Sequence, residues 1–331
     1  MLARVSSSAG QASDEPVHRA AIIESLARLI SSWGAGTLEE LRALVAPGIE
    51  SLPEERLREL IDRTRTSGSS WGFHPADPFV RGLSRQIMGR VLDHASELEG
   101  GGNLTGLAGR GVLLVGNHLS YVDANAFEYL CQREGHEDFV NRLVVVAGPK
   151  VYSQPIRLLA SLCFGTIKTP QSARIASGEA VMSPREVARI ALQTLGVARE
   201  RLGQGDPVLL FPEGSRSRSG ALQVCLPAVA RYLEIPGTWI VPFAHVGCEK
   251  LVPLEEDHVY PGRIDVRIGA PIEAAQLLER TQRNRGCAVD VLGFWIAELL
   301  PAGYRGYYGE PLRPELEQAR QIALELRAPR A

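Results

Sequence analysis

His118 and Asp123, which lie five positions apart, are the residues whose types and spacing point most directly to chemistry. The apolar run over 111–115 predicts a buried strand, and the segment after Asp123 has the spacing of an amphipathic helix. A histidine just beyond such a strand lies at the edge where open α/β sheets bind ligands. A carboxylate on the next helical turn can accept a hydrogen bond from imidazole Nδ1, which leaves Nε2 able to remove a proton. The pattern therefore predicts a histidine general base that the aspartate orients.

Two structural interpretations of the same segment compete with this prediction. Ser120 and Asp123 also have the spacing of a capping box, in which the aspartate serves only backbone N–H groups. His118 is alternatively a hydrogen-bonded histidine at a strand end, without a chemical role. The segment by itself leaves both interpretations open, and the rest of the chain favours the chemical one.

A second apolar run, 207–211, leads into a loop over 212–220 that is rich in Pro, Gly and Ser, on the same sheet edge as His118 if the strands are parallel. Its two arginines suit a phosphate, because arginine binds phosphate through two parallel charge-assisted hydrogen bonds. A solvated polar loop is the alternative, and the position directly after a buried strand favours a binding site. Glu213 is expected to orient Arg216 or to accept a substrate hydroxyl. The predicted substrate-binding residues of this loop are Glu213, Gly214, Ser215, Arg216 and Arg218.

Three further cationic or titratable side chains are candidates elsewhere. Lys168 ends the apolar run 163–168 and is expected to be a third cation for the phosphate, although an ordinary strand-end lysine has the same pattern. His245, at the end of the run 238–244, is expected to be a core or rim histidine rather than a catalytic one. Arg174 is a loop cation near enough in sequence to approach the phosphate, and the predicted site does not include it.

The chain beyond residue 100 alternates strand-like and helix-like segments. This alternation predicts an α/β fold with a mixed, largely parallel sheet flanked by helices. The predicted strands are 111–115, 143–147, 163–168, 207–211, 238–244 and 264–268. The predicted helices are 124–133, 154–162, 184–202, 225–233 and 288–300.

The first third of the chain has helical spacing throughout. The predicted helices there are 17–33, one that begins after Thr37, 51–65 and 79–98. Packing within a small helical bundle explains the apolar stripe of the first helix better than an interfacial membrane helix does. The glycine-rich segment 99–103 is the clearest linker. The predicted organisation is a disordered leader over 1–15, a helical domain over 16–100 and an α/β domain over 101–331.

Composition narrows the classes of function. The chain has 331 residues and a net charge of −2, which gives no sign of attraction to nucleic acid. Its five cysteines lack C-x-x-C spacing, which favours free thiols in a reducing compartment over a zinc site. No run of about 18 apolar residues predicts a membrane span, so work on a lipid would take place at the membrane surface. The missing nucleophile-elbow, Walker A, dinucleotide-binding and H-E-x-x-H motifs argue against acyl-enzyme hydrolases, nucleotide chemistry, dinucleotide redox and zinc peptidases.

These elements together resemble the glycerolipid acyltransferase superfamily, the glycerol-3-phosphate and lysophosphatidate acyltransferases. The first motif of that superfamily, N-H-x-x-x-x-D, matches Asn117, His118 and Asp123. The third motif, F-P-E-G-[ST]-R, matches residues 211–216. The resemblance extends over residues 111–269 with the motifs in the expected order.

The other two motifs of the superfamily match loosely. The second, G-x-[IV] followed by a cation, corresponds to residues 165–168, with Lys168 where many relatives have arginine. The fourth, a hydrophobic strand that ends in proline, corresponds to residues 240–242. The R-x-R of the third motif is similar to the glycerol-3-phosphate branch, whose soluble plastid-type enzymes also have a helical N-terminal domain. Lysophosphatidate acyltransferases share this R-x-R, so both acceptors stay open.

The resemblance implies direct acyl transfer from the thioester of an acyl carrier protein or coenzyme A to a hydroxyl of sn-glycerol 3-phosphate, the first step of glycerophospholipid synthesis. It implies neither a cofactor nor a metal. His118 would be the general base and Asp123 its partner, while Lys168, Arg216 and Arg218 would hold the phosphate. The alternatives are a lysophosphatidate or other lysophospholipid acceptor, and a non-catalytic module that binds lipid or acyl carrier. The expected location is cytoplasmic, with peripheral contact at the inner face of the membrane as an option.

Overall fold

The computed structural model describes residues 18–170 and 182–327, so that the predicted leader over 1–15 and Arg174 lie outside the described residues. Its helices are α1 Arg19–Trp33, α2 Leu38–Ser51, α3 Glu54–Thr66, α4 Pro78–Val91, α5 Asp123–Arg133, α6 Glu137–Val140, α7 Pro155–Ser161, α8 Pro184–Gly203, α9 Ala230–Leu233, α10 Cys248–Leu251, α11 Ala274–Arg280, α12 Arg285–Leu299 and α13 Glu317–Arg327. Its strands are β1 Gly72–His74, β2 Glu97–Glu99, β3 Val112–Gly116, β4 Val144–Ala147, β5 Gly165–Lys168, β6 Pro207–Leu210, β7 Trp239–Val246, β8 Asp265–Ile268 and β9 Ile272–Glu273.

The described strands form one mixed sheet. Their order is β1-β5-β4-β6-β3-β7-β8-β2, and β9 pairs with β7 outside this row. Strands β5, β4, β6, β3 and β7 are parallel, whereas β1 pairs antiparallel with β5 and β8 pairs antiparallel with β7. Every residue of β3 and β6 is buried, as expected for parallel strands that are covered on both faces. The predicted fold class, a largely parallel sheet flanked by helices, is confirmed.

Alternate residues of each strand pack on opposite faces of the sheet, because side chains of a strand point alternately up and down. Val112 and Leu114 of β3 belong to a hydrophobic cluster with the N-terminal helices α1 to α4 and with α5 and α7. Leu113 and Val115 belong to a second cluster with α8, α9, α12 and α13. The sheet is therefore the middle layer of a three-layer structure.

Two of the four N-terminal helices, α2 and α4, begin at a residue whose side chain caps the helix. The side chain of Thr37 accepts a hydrogen bond from the backbone of Glu40 and completes a capping box at α2. Asp77 accepts from Phe79 N and Val80 N at the start of α4. The prediction for α4 is wrong at its end, because the helix stops at Val91 instead of continuing to residue 98.

The segment after α4 joins the sheet instead. Asp93 N donates to Gly262 O at 2.9 Å, and β2 then pairs parallel with β8. The apolar residues of this segment have a spacing that fits a helix, but tertiary pairing decides their conformation. The division at residue 100 stays a prediction; β1 and β2, which lie before it, are strands of the common sheet.

Two further observations bear on the predicted class of protein. None of the described helices is long and apolar enough to cross a bilayer. All five cysteines carry free thiols, and four of them are buried.

Candidate active site

The loop between β3 and α5 brings His118 and Asp123 into direct contact. Nδ1 of the imidazole lies 2.8 Å from Asp123 Oδ2. The same carboxylate oxygen accepts from Leu119 N at 2.7 Å and from Ser120 N at 2.9 Å. The alternative capping box does not form in full, since α5 has no side-chain cap and Val122 is its N-cap residue. Asp123 therefore fixes both the loop backbone and the orientation of the imidazole ring.

Asp123 stays ionised despite complete burial. Loss of solvent raises the pKa of this carboxyl. The hydrogen bond from His118, nearby positive charge and the backbone of Ser120 lower the pKa by a larger amount, so that the net shift is downward. The side chain is 1% exposed. An ionised carboxylate at Nδ1 stabilises a protonated imidazole, which is the state that a general base reaches during catalysis.

The imidazole of His118 is held flat against an aromatic ring. Phe211 stacks on it with ring centroids 4.1 Å apart and an interplanar angle of 9°. The His118 side chain is 17% exposed, and within the described part of the chain its ring makes one hydrogen bond, through Nδ1. It lines a cavity of about 300 Å³ whose walls are largely apolar and include Leu195, Leu210 and Tyr232. The ring therefore reaches a space that can receive a substrate.

The loop after β6 is hydrogen-bonded to the backbone of His118. Because β6 lies beside β3, the two loops leave the same edge of the sheet as neighbours. His118 N donates to Glu213 Oε1 at 2.6 Å, and Ser217 N donates to His118 O at 2.7 Å. Gly214 lies between these contacts with a φ of 72°, a conformation that favours glycine.

Glu213 has a different role from either of those expected from the sequence. Its second oxygen accepts from Gln223 N at 2.8 Å and from Gln223 Nε2 at 3.2 Å, so the carboxylate spans His118 and Gln223 rather than orienting Arg216. Burial raises the pKa of Glu213 to about 7, although the hydrogen bonds from Gln223 and His118 oppose the shift. The buried Glu213 side chain therefore holds the His118 backbone in position.

Arg216 is close to the histidine loop. Its guanidinium carbon lies 3.9 Å from the ring centroid of Tyr121, three residues after His118, and Nη2 donates to Leu254 O at 2.8 Å. Nη1 is buried and has no partner among the described residues. Arg218 is exposed, and the backbone oxygen of Ser215 accepts from Gln223. The structure therefore brings His118, Asp123 and the 213–218 loop together.

Lys168 is the one predicted site residue that the structure keeps away. Two strands, β4 and β6, separate β5 from β3 in the sheet, a distance of about 14 Å between strand axes. The Lys168 ammonium donates to Gly68 O and lies 4.7 Å from the Trp71 ring and 4.9 Å from the Tyr152 ring. Burial lowers the pKa of this lysine. In this structure Lys168 does not join Arg216 in one cation cluster.

The structure also assigns positions to residues that the sequence left without a role. The Asn117 side chain accepts from His245 N at 2.7 Å and donates to His245 O at 2.9 Å, which joins the end of β3 to β7. His245 is buried, as expected, and burial lowers its pKa. Strand β7 continues to Val246, two residues beyond the predicted end at residue 244.

Tyr121 and Phe211 were missed as site residues. Both are within the matched motif segments, Phe211 directly after β6 and Tyr121 between His118 and Asp123. An aromatic residue that directly follows a buried strand, next to a predicted catalytic pair, is the signal that would have indicated them. Without the strand order, nothing in the sequence shows which ring such a residue touches.

Comparison with known proteins agrees with the acyl-transfer chemistry that the sequence predicts for this site. Residues 97–246 match the profile of the family described as Acyltransferase. Every predicted site residue falls within this stretch. The expected resemblance to an acyltransferase family is confirmed over this stretch.

Two further comparisons were made. A search of curated proteins gave no match. Among solved structures, the chain is similar to the 1-acyl-sn-glycerophosphate (LPA) acyltransferase PlsC from Thermotoga maritima. The two sequences are 15% identical, the alignment covers 85% of this chain and 96% of that chain, and the TM-score is 0.44.

Proposed function

We propose that this acyltransferase is a glycerol-3-phosphate O-acyltransferase. It moves a fatty acyl group from the thioester of an acyl carrier protein or coenzyme A to a hydroxyl of sn-glycerol 3-phosphate. One observation carries the proposal. Asp123 orients the His118 imidazole at 2.8 Å, and the His118 backbone is hydrogen-bonded to the loop that carries Arg216. A base and a phosphate-binding cation are thereby fixed on one rigid unit.

In the proposed reaction, Nε2 of His118 accepts the proton of the glycerol hydroxyl as its oxygen attacks the thioester carbonyl carbon. The C–S bond then breaks, and the departing thiolate takes the proton back from the imidazolium. Asp123 stabilises the imidazolium through Nδ1 and fixes the tautomer that leaves Nε2 unprotonated in the resting state. The reaction needs neither a metal nor a cofactor.

The arginines position the acceptor. Arg216 and Arg218 would hold its phosphate, with Gly214 and Ser215 shaping the loop, and the hydroxyl would thereby be kept within reach of His118. Such positioning replaces a bimolecular encounter with a nearly unimolecular step. Glu213 contributes indirectly, because it holds the backbone N–H of His118 at 2.6 Å. Lys168 is left out of this role because its ammonium is directed to Gly68 and two aromatic rings.

The walls of the His118 cavity have the apolar character that an acyl donor requires. Most of the side chains that line it are apolar, while Arg231 is a charged residue at its boundary. An apolar wall beside the base suits the first methylenes of a fatty acyl chain, because burial of each methylene stabilises binding by about 0.8 kcal/mol. Because the product is a lipid, the proposal includes peripheral contact with a membrane.

A lysophosphatidate acceptor is the second candidate, and one observation favours it. A separate apolar cavity begins beside Tyr121 and runs between α4, α5 and α7, where Leu83, Met88, Val122 and Ile156 line it. The cavity has a volume of about 50 Å³, so an acceptor that already carries one acyl chain could place only the first part of that chain there while its phosphate meets Arg216.

Product analysis tests both candidates. Purified protein is incubated with acyl carrier protein thioester or acyl coenzyme A and, separately, with glycerol 3-phosphate, lysophosphatidate, lysophosphatidylcholine or glycerol. Mass spectrometry then identifies the acylated product. We expect lysophosphatidate as the product from glycerol 3-phosphate and little acylation of glycerol. Phosphatidate formed from lysophosphatidate alone would favour the second candidate, and free thiol without any acylated acceptor would contradict both.

A further inference from the structure

The ring of Tyr121 lies between two guanidinium groups. The guanidinium carbons of Arg157 and Arg216 are each 3.9 Å from the ring centroid. Two planar cations cannot both approach one centroid so closely from the same side, so they cover opposite faces and stand roughly twice that distance apart. At the ring edge, one phosphate group can accept charge-assisted hydrogen bonds from both, since such bonds are about 2.7–2.9 Å long.

Both arginines are held by the segment 254–257 and both keep unused hydrogen-bonding capacity. Arg216 Nη2 donates to Leu254 O at 2.8 Å, and Arg157 forms an ion pair with Asp257. Arg216 Nη1 and Arg157 Nε are buried atoms without a partner among the described residues. Buried donors of this kind are normally satisfied, so an acceptor that reached them would lower the cost of their burial.

Two carboxylates act on the two guanidiniums. Asp257 pairs with Arg157, although its side chain is 49% exposed whereas that of Arg157 is 16% exposed. Burial and the charge of Arg157 lower the pKa of Arg216, while the charge of Asp123 raises it, and the net shift is downward. A bound anion would relieve the repulsion between the two guanidiniums.

We propose that Arg157, Tyr121 and Arg216 form a two-guanidinium site for a phosphomonoester, with Arg157 as an additional ligand of the acceptor phosphate. Tyr121 is the spacer that sets the distance between the cations and fixes both relative to His118 in the same loop. Asp257 occupies part of the hydrogen-bonding capacity of Arg157 while the site is empty. This inference rests on the proposed function, because it names the group of that substrate which the site recognises.

Binding measurements on the full chain test the site without requiring turnover. Isothermal titration calorimetry with inorganic phosphate, sn-glycerol 3-phosphate and glycerol gives the Kd for each. We expect Arg157→Gln to weaken binding of both phosphate ligands about tenfold, as for the loss of one charged hydrogen bond. We expect Asp257→Asn to strengthen it about threefold, because the opposing charge is removed. Glycerol binding should not respond to either variant.

The opposite signs separate a binding role from a structural one. If the Arg157 to Asp257 ion pair only supported the fold, removal of either partner would change the Kd in the same direction or not at all, and the inference would be wrong. Arg142 and Asp206 form a matched control pair at 2.9 Å, just before β4 and β6 and thus at the opposite edge of the sheet. Arg142→Gln and Asp206→Asn should leave the Kd unchanged. If Arg157→Gln does not fold, Asp257→Asn alone decides, and a Kd that is not lowered overturns the site.

The acceptor panel distinguishes failure of this site from failure of the proposed function. Acylation of glycerol 3-phosphate together with an unchanged Kd in Arg157→Gln would reject the site and keep the function. A weaker phosphate Kd in Arg157→Gln without any acylated product would keep the site and reject the function. Because the phosphomonoester of lysophosphatidate has the same chemistry, a parallel titration with a short-chain lysophosphatidate shows which of the two sources binds more tightly.

Discussion

The ends of β3 and β5 have similar patterns in the sequence, but their side chains have different surroundings in the structure. Each is a parallel strand of the sheet with a cationic or titratable side chain at its end: His118 lies two residues beyond β3, and Lys168 is the last residue of β5. Around His118, the loops after β3 and β6 share backbone hydrogen bonds and bring an acid, a base and an arginine together. Lys168 instead contacts a carbonyl and two aromatic rings near the outer edge of the sheet.

The difference follows from strand order. Two loops can interlock only when their strands are neighbours, as β3 and β6 are, because adjacent strands lie about 4.8 Å apart. β5 is separated from β3 by two strands, and its neighbour on the other side is β1. A cation at the carboxyl edge of a parallel sheet is therefore a candidate site residue only if its strand lies beside the others.

Loss of the base should have the largest effect. His118→Ala is expected to lower kcat by about 10²–10⁴-fold, because a positioned general base contributes that much to the rate. Circular dichroism and thermal unfolding should show an intact fold, since the Asp123 carboxylate keeps its two backbone donors. Turnover close to that of the unchanged protein would rule out the proposed mechanism.

Removal of the central arginine should affect the acceptor and spare the donor. Arg216→Ala is expected to raise the KM for glycerol 3-phosphate by roughly one to two orders of magnitude, which corresponds to about 1.5–3 kcal/mol for a charged hydrogen bond. The KM for the acyl thioester should change little. Steady-state kinetics with each substrate varied in turn measures both values, and a defect confined to the donor would reassign the loop to the carrier side.

Ionisation of Glu213 should link stability to pH. Its pKa in the folded protein is about 7, above the ordinary 4.5, so the contribution is full below pH 4.5 and is lost as the pH rises through 7. Relative to Glu213→Gln, the unchanged protein should therefore lose free energy of unfolding between pH 5 and pH 8. Denaturant unfolding of both proteins across this range tests the sign. A difference that is constant with pH would show that Glu213 does not titrate there.

The smallest kinetic effect is expected at the end of β5. Lys168→Met keeps most of the length of the side chain and removes the charge, and the acceptor KM should change by no more than about twofold, as for a substitution outside the site. The free energy of unfolding should fall by about 1–3 kcal/mol, because a hydrogen bond from a charged group to Gly68 is lost. A large rise in the acceptor KM would show that Lys168 reaches the phosphate after all and would remove the contrast between the two strand ends.

Most of the central sheet could be predicted from local patterns. Each of the six predicted strands is present, with ends that differ by no more than two residues. Buried parallel strands are short apolar runs, and such runs are visible without tertiary information. The short strands β1, β2 and β9 were not predicted, because two to three residues at a sheet margin carry no period of their own.

The candidate site could be predicted in part for the same reason. The five-residue spacing of His118 and Asp123 places both on one tight loop, so their contact is a local property of the sequence. The hydrogen bond from His118 N to Glu213 joins residues that are 95 positions apart, and no local pattern contains it. Arg157, which shares Tyr121 with Arg216, is on a helix in which the sequence indicated no site residue.

By itself, the sequence determined the apolar strands, the helix caps at Thr37 and Asp77, and the types of side chain that follow each strand. These depend on interactions within a few residues, whose energies do not change with the order of the strands. The tertiary structure alone decided that β6 lies beside β3 while β5 does not, and therefore that Arg216 joins His118 and Lys168 stays apart. Strand order depends on how whole apolar faces pack against the helices of both layers, and this is a property of the complete chain.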